Sequence, residues 1–348
     1  MERKVGFRSF VCGTVLAAVA LAGGRAALAA DAALIAAAKK EGEVIWYTTL
    51  IVNQVVRPTM DAFTAKYGIK VREFRANAND LAIKVINEGK AGRVQADVVD
   101  GTNTSNALEK EGLVVAWLPD AAKDYPAYLK DSKNFWIAQN LYVLTPAFNT
   151  DLVKPGTEPK TFADLLDPKW KGKITWSNTV SSSAAAGFIG TVLTAMGEKD
   201  GMEYLKKLKG QDIVPRSTSA REVVDQVMAG EHALALQIFN HHTVISAEKG
   251  APVSWIPMEP ATVNLQVASL LKGAPHPNAG KLLLDFMISE EGQLVFQKAG
   301  YLPAHPKIPA SDPKLKPEGG NFQALYVNPA ELDDKLAGWV KIYNDIFR

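Results

Sequence analysis

Apolar and polar residues alternate along the chain in blocks whose spacing distinguishes strands from helices. The β-branched and aromatic run Val44-Ile45-Trp46-Tyr47 follows a helix-stopping glycine, Gly42, and is typical of a buried strand. The first third of the chain predicts strands over 43–47, 69–74 and 96–99 and helices over 31–41, 55–66 and 81–91, the last with Asp80 as N-cap. This order of strand, polar loop and helix predicts a parallel, doubly wound α/β sheet.

The same unit recurs after a segment at 146–173 that is rich in Pro, Gly and Lys. Strands are predicted over 173–176, 212–214 and 233–239, and helices over 184–196, 220–228, 280–296 and 329–346. We expect two lobes, each with a mainly parallel doubly wound sheet, joined by two hinge crossings near residues 145 and 261. The first lobe comprises 31–145 plus 262–348, braced by the late helices, and the second comprises 146–261.

The N-terminus carries a pattern typical of export. Arg3, Lys4 and Arg8 precede an apolar stretch at 10–23, and Ala27-Leu28-Ala29 offers a small-x-small cleavage site. Residues 1–29 are therefore predicted to be a cleavable signal peptide that directs the protein to the periplasm. The apolar stretch is shorter than the roughly 20 residues that a membrane span needs.

The expected cleavage changes the charge balance. It removes four basic residues and one acidic residue from totals of 39 and 37, leaving 35 and 36 and a formal charge of −1. This balance gives no broad positive field, so nucleic acid and membrane surfaces are not expected as partners. The only cysteine, Cys12, lies in the predicted signal peptide. A zinc–thiolate site, a redox pair and a thiol nucleophile are thereby excluded from the mature chain.

Polar side chains gather where the predicted strands end. In open α/β sheets the ligand crevice lies at the carboxyl ends of the strands, and helix N-termini there favour anionic groups. Although such residues also serve as ordinary helix caps, six polar loops at strand ends together favour a binding site. The candidate ligand-binding residues are Thr48, Thr49, Asn79, Asp100, Thr102, Asn103, Ser181, Ser182, Ser183, Ser217, Arg221, Asn240, His241 and His242.

Two long stretches carry a resemblance to a known family. They are Thr161-Phe-Ala-Asp-Leu-Leu-Asp-Pro-Lys-Trp-Lys-Gly-Lys-Ile, and Ala274-Pro-His-Pro-Asn-Ala-Gly-Lys-Leu followed by Ile288-Ser-Glu-Glu-Gly-Gln. With shorter matches such as Gly42-Glu-Val-Ile-Trp-Tyr-Thr-Thr, the chain resembles the iron(III)-type periplasmic solute-binding proteins of ABC importers over residues 31–310. The resemblance implies a monomeric, two-lobed receptor that closes on a small-molecule ligand and delivers it to the membrane permease.

The family's iron ligands do not carry over to this chain. Iron-loaded members place two adjacent tyrosines after the strand that corresponds to 233–239, where this chain has Asn240-His241-His242. Imidazoles favour divalent metals over Fe(III). The matching carboxylate position is nearest Asp100, and the family's anion loop corresponds to Ser181–Ser183. Three roles are open to the two histidines, namely a ligand contact, metal coordination and plain packing, and at most one of the pair is expected to face the cleft.

Enzymes are the rival class of protein for this sequence. None of the GxSxG, HExxH, GxxxxGK[ST] and GxGxxG motifs occurs. Ser181–Ser183, His241 and Asp100 would permit a serine hydrolase, but no spacing supports one, and a two-carboxylate glycosidase or a structural envelope protein are further alternatives. The sequence therefore predicts a non-enzymatic receptor without a cofactor, for a small anionic solute or an anion–metal chelate. The alternatives are an ordinary Fe(III) receptor and, more remotely, a secreted hydrolase.

Overall fold

The computed structural model describes residues 32–348, with all side chains in that range except that of Asp333. The α-helices are α1 (32–41), α2 (Arg57–Tyr67), α3 (Ala78–Lys90), α4 (Thr104–Lys110), α5 (Ala185–Met196), α6 (Glu198–Leu208), α7 (Ala220–Met228), α8 (Asn240–Ala247), α9 (Pro277–Ile288), α10 (Glu290–Lys298), α11 (Pro317–Gly320) and α12 (Pro329–Phe347). The strands are β1 (Glu43–Thr48), β2 (Lys70–Arg75), β3 (Val98–Gly101), β4 (Ile137–Asn149), β5 (Ile174–Ser177), β6 (Val214–Arg216), β7 (Leu234–Phe239), β8 (Val253–Trp255), β9 (Ala261–Leu270), β10 (Leu302–Pro303) and β11 (Ala324–Val327).

Among these residues the strands form one mixed sheet with the order β2-β1-β3-β9-β4-β7-β5-β6. The pairs toward its two ends, β2-β1-β3 and β7-β5-β6, are parallel, as expected where helices connect consecutive strands. The two long central strands pair antiparallel with each other and with their outer neighbours. The sequence analysis assigns a separate sheet to each lobe, whereas here the ladder continues from one end to the other through β9 and β4.

The buried apolar side chains divide into two regions along this sheet. Two clusters are built from residues 38–143 and 261–322, and their largest members include Trp46, Phe63 and Phe286. Two further clusters are built from 147–258 and the C-terminal helix, around Trp176 and Phe188. Strand β4 contributes to both regions, with Ile137–Val143 in one and Ala147–Phe148 in the other.

The C-terminal helix packs differently from the expectation that it braces the first lobe. Its residues Tyr343 and Ile346 are buried with Trp176 in the core of residues 147–258. The rings of Trp176 and Phe347 lie 4.8 Å apart, edge to face. The sequence places residues 329–348 with the first lobe, whereas the aromatic face of α12 is buried here against α5 and β5.

Two local assignments also change. Helix α3 is capped by Asn77, whose side chain accepts from the Asp80 backbone N–H at 2.9 Å, so Asp80 lies inside the helix and is not its cap. Asn240, His241 and His242 form the first turn of α8 and are not a strand end.

The predicted signal peptide and its cleavage site lie outside the described residues. Within residues 32–348, no helix combines the length and the apolar character needed to cross a membrane.

Candidate functional site

A cavity of 810 Å³ opens at the carboxyl ends of the parallel strands from both ends of the sheet. Its walls come from the loops after β1, β2 and β3 on one side and after β5, β6 and β7 on the other. The predicted residues that line it are Thr49, Asn79, Thr102, Asn103, Ser181, Ser182, Ser183, Ser217, Arg221 and His242. The polar loops therefore meet at one site because parallel strands deliver their C-terminal ends to the same edge of a sheet.

Several helices begin at this cavity. Ser181–Ser183 precede α5, Ser217–Ser219 precede α7, and His242 lies in the first turn of α8. The N-caps of α5 and α8 are Ala184 and Phe239, neither of which supplies a side-chain cap. The first-turn N–H groups of α5 and α8 therefore lack the usual side-chain acceptor and favour an anion supplied by a ligand, whereas α7 is capped by the Ser219 side chain.

The serine loop before α5 is held by residues of β7 and β9. Gln237 Nε2 donates to the Ser182 carbonyl at 3.1 Å, and Asn264 Nδ2 donates to Ser182 Oγ at 2.8 Å. Gly187 lies beneath this loop, and a methyl group there would come within 1.7 Å of the Ser182 carbonyl oxygen. The loop is thus fixed from behind, while the Ser181 and Ser183 hydroxyls, 3.0 Å apart, lie at the cavity wall.

Two arginines provide the cationic side chains of the cavity wall. Arg221 is held by Asp225, at 2.7 Å, and donates to Ser246 Oγ at 3.0 Å, so part of its guanidinium is already engaged. Arg75, the last residue of β2, donates from Nε to the Leu50 carbonyl at 3.0 Å. Its two terminal nitrogens have no protein partner among the described residues. Arg75 is not among the site residues predicted from the sequence, although its place at a strand end next to the Asn77 loop is a usable signal.

No acidic side chain is found among the lining residues whose side chains the structure describes. Hydroxyls, helix N-termini and two guanidinium groups therefore face the cavity, and of the two only Arg221 is paired with a carboxylate, that of Asp225 outside the lining. Because the field of such a wall is positive, the cavity favours an anionic group over a free cation.

Asp100 and Thr48 do not line the cavity, contrary to the expectation. Asp100 is fully buried and accepts hydrogen bonds from Trp46 Nε1, Thr48 Oγ1, Thr49 N and Oγ1, and Gln266 Nε2, at 2.6–2.9 Å. Burial raises the pKa of this carboxyl, and the hydrogen bonds from Thr48 and Thr49 oppose the rise. Asp100 is placed inside the sheet because β3 extends to Gly101, beyond the strand end that the sequence predicted. It therefore fixes the β1 loop and is not available to a ligand.

Asn240 and His241 are also behind the cavity wall. Asn240 Nδ2 donates to the Leu315 carbonyl at 2.8 Å. His241 is fully buried between aromatic rings, parallel to Tyr142 at a centroid distance of 5.8 Å, and neither ring nitrogen has a protein partner. Burial, with a smaller contribution from Arg221, lowers the pKa of His241 to about 3. Only His242 of the pair lines the cavity, and burial holds its pKa well below the ordinary value.

Tyr142 and Tyr301 line the cavity as well, and the sequence analysis missed both. Tyr142 lies in the middle of β4 and packs on Phe239 at a centroid distance of 4.6 Å. Tyr301 follows α10, and burial raises its pKa to about 12. These phenols come from elements far apart in sequence, so no local pattern pointed to them.

The neutral His241 makes stability dependent on pH. Its pKa is about 3 in the folded state and about 6.5 in an unfolded chain, so the unfolded state binds more protons below pH 6.5. The contribution of neutral His241 to the free energy of unfolding is therefore fully present above pH 6.5 and is lost as the pH falls toward 3. Urea unfolding of His241→Phe should show about 2 kcal/mol less loss between pH 7.5 and 5.0 than the wild type. Equal losses in the two proteins would contradict this assignment.

The α/β fold, the cleft at the strand ends and the polar lining define a solute-binding protein. The model of the bacterial extracellular solute-binding protein family matches residues 46–302, and the chain belongs to this family. It is accordingly a binding protein of an ABC transporter and not an enzyme. The predicted resemblance to the iron(III)-binding periplasmic proteins and the predicted periplasmic location are confirmed.

Individual relatives differ in the ligands that their names state. The chain is 26% identical to a putative 2-aminoethylphosphonate-binding periplasmic protein of Salmonella paratyphi A, over 79% of each chain. It is 25% identical to an Fe(3+)-binding periplasmic protein of Serratia marcescens, over 90% of this chain and 94% of the relative. The structure of the periplasmic binding protein AfuA from Actinobacillus pleuropneumoniae, with fructose-6-phosphate bound, superposes with a TM-score of 0.72 at 23% identity, covering 88% of this chain and 98% of AfuA.

Proposed function

We propose that the ligand is a small anionic solute that carries a phosphonate, phosphate or carboxylate group, bound alone or as an anion–metal chelate. The observation that carries this proposal is the charge of the cavity wall, where Arg75 and Arg221 face a site without an acidic side chain among its described lining residues. An oxyanion accepts several hydrogen bonds at once, and the hydroxyls and first-turn N–H groups supply the donors.

The strength of each contact to the anion depends on how far the donor is already engaged by other protein groups. Arg75 has both terminal nitrogens free of protein partners among the described residues, so it provides the strongest charge-assisted contact. Arg221 is partly satisfied by Asp225, and its contribution is smaller. The Ser181 and Ser183 hydroxyls and the N-terminus of α5 complete the contacts from the opposite wall.

We further propose that the two core regions are lobes that close on the ligand. The chain passes between the regions three times, within β4, between β8 and β9, and between β11 and α12. The first two passages lie near the hinge crossings expected at residues 145 and 261, and the third brings α12 back to the second region. Arg75 and the Ser181–Ser183 loop belong to different regions, so an anion bound by both favours the closed form. The monomer would then present the outer faces of both lobes to the membrane permease.

The relatives point to ligands of two kinds, an oxyanion in two cases and a metal cation in the third, and the first two support this proposal. The names of two of them refer to a phosphonate and to Fe(3+), and AfuA has a sugar phosphate bound. A phosphonate and a phosphate share the same tetrahedral oxyanion, and the hydroxyl loops and helix N-termini of this cavity suit that geometry.

An Fe(III) receptor is the second candidate, and Tyr142 and Tyr301 are the observation that favours it. Phenolate oxygen is a hard donor suited to Fe(III), and both phenols line the cavity. No described lining residue supplies a carboxylate, and burial raises the pKa of both phenols; both features oppose metal capture without a bound anion. A tyrosinate-to-iron charge-transfer band together with tight binding of bare Fe(III) would replace the anion proposal by this one.

Native mass spectrometry of the mature protein, purified without refolding, identifies a co-purified ligand, and calorimetry with that compound measures its affinity. We expect Ser183→Ala to weaken binding about tenfold, since a hydrogen bond to a charged group contributes about 1.5–3 kcal/mol. The matched control Ser311→Ala, on an exposed loop, should bind like the wild type.

Saturating ligand should also lower the radius of gyration in small-angle scattering, because closure of the lobes makes the molecule more compact. Unchanged affinity in Ser183→Ala, or unchanged scattering, would count against the site or the closure respectively.

A further inference from the structure

Helix α12 carries one continuous apolar stripe. Leu332, Leu336, Trp339, Tyr343 and Phe347 follow one another at intervals of three or four residues, which places them on a single face of the helix. Such a stripe is ordinarily buried along its whole length against one partner. In this protein the two halves of the stripe have different surroundings.

The C-terminal half of the stripe is fixed in the core around Trp176. The rings of Tyr343 and Phe347 lie 5.9 and 4.8 Å from the Trp176 ring, both edge to face. Trp339 lies directly over Gly190 of α5, where an added Cβ would come within 2.6 Å of the indole. Only glycine permits this close approach, so α12 is seated on α5 in a defined position.

The N-terminal half of the stripe reaches the anion cavity. Leu332 and Leu336 line the same cavity as Arg75 and Ser183, and Leu336 remains partly exposed there. Val180, in the loop before α5, is 63% exposed at the same cavity. The binding site thus has a cationic, hydroxyl-rich part and an adjoining apolar part.

We infer that the ligand is an organic anion whose apolar body rests on Leu336 and Leu332 while its charged head is bound by Arg75 and the serine loop. This inference rests on the proposed function and narrows its ligand class. A bare oxyanion would fill a small fraction of the 810 Å³ cavity and leave the partly exposed Leu336 in contact with water. A volume in this range is typical of sites that hold organic molecules of substantial size.

The test compares ligands that share a head group and differ in their apolar part. Calorimetry of the mature full-length protein would use inorganic phosphate, methylphosphonate and phenylphosphonate, and the pair acetate and phenylacetate. For at least one head group we expect the phenyl compound to bind at least tenfold more tightly than its methyl counterpart. Leu336→Asn should reduce that ratio by about fivefold or more, since it removes apolar contact from the phenyl ring.

Controls separate this inference from loss of fold and from failure of the anion proposal. Lys341→Ala, on the exposed side of α12, should keep the wild-type ratio, and Leu336→Met should retain most of it. A phenyl compound that binds no better than its methyl partner, while anions do bind, would overturn the apolar subsite alone. The apolar subsite would also be overturned if folded Leu336→Asn keeps the wild-type ratio of phenyl to methyl affinity. If no compound of either head group binds, the anion proposal and this inference fail together.

Discussion

Replacing Arg75 by alanine should weaken binding of the anionic ligand by about a hundredfold, the largest loss expected from any single residue of the site. The guanidinium lies at the cavity, and among the described residues its terminal nitrogens have no protein partner, so the ligand is their natural acceptor. A charge-assisted bidentate contact contributes about 1.5–3 kcal/mol. A hundredfold change in affinity corresponds to about 2.7 kcal/mol and therefore lies within this range. Calorimetry with the co-purified ligand measures the effect.

Strand β2 offers a matched control for this substitution. Arg72 lies on the same strand, is exposed, and faces Glu43 at 3.8 Å outside the cavity, so Arg72→Ala should leave the affinity unchanged. Arg75→Lys should fall between wild type and Arg75→Ala, because lysine keeps the charge but not the planar pair of donors. If Arg72→Ala and Arg75→Ala lose affinity equally, a general charge effect is responsible and the direct contact is refuted.

Replacing Asp100 by alanine should lower the free energy of unfolding by about 3–5 kcal/mol. The substitution removes the acceptor for donors from Trp46, Thr48, Thr49 and Gln266 in a fully buried position. Each buried donor that is left without an acceptor costs about 1–3 kcal/mol, and some are rescued by water. Urea unfolding at pH 7.5 gives the value.

The exposed residue Asp61 on α2 provides the comparison for Asp100. Asp61→Ala should change stability by less than about 0.5 kcal/mol, as is usual for surface substitutions. Asp100→Asn should remain clearly destabilised, because its amide nitrogen would face donors in place of an acceptor oxygen. A loss below about 1 kcal/mol in Asp100→Ala would show that the hydrogen-bond network contributes little to the fold.

Local sequence patterns predicted those parts of the fold and site that depend on neighbouring residues. The helix over 220–228 matches α7, and the polar loops after β1, β5 and β6 reach the cavity because they follow strands directly. Asp100 does not reach the cavity, because β3 continues beyond its apolar run as far as Gly101 and Asp100 lies inside the strand. The histidine pair follows β7 as the sequence predicted, and the start of α8 at Asn240 was not predicted.

The remaining features depend on contacts between distant segments. Tyr142 and Tyr301 meet at the cavity from a central strand and from a late loop, and neither is flanked by polar residues that mark a site. The apolar periodicity of α12 predicted a helix. Its packing on α5 depends on the close contact between Trp339 and Gly190, which no periodicity reveals. Pairing of β4 with β9 likewise joins segments more than a hundred residues apart, and strand propensity alone does not specify it.

The position of α12 also governs the order in which the protein acquires its structure. The core around Trp176 is completed by Tyr343 and Ile346 at the C-terminus, and the core around Trp46 includes residues as late as Phe322. A chain that enters the periplasm N-terminus first therefore cannot complete either hydrophobic core until almost all of it has been translocated. Contacts between such distant segments form slowly, so we expect both cores to be completed late in folding.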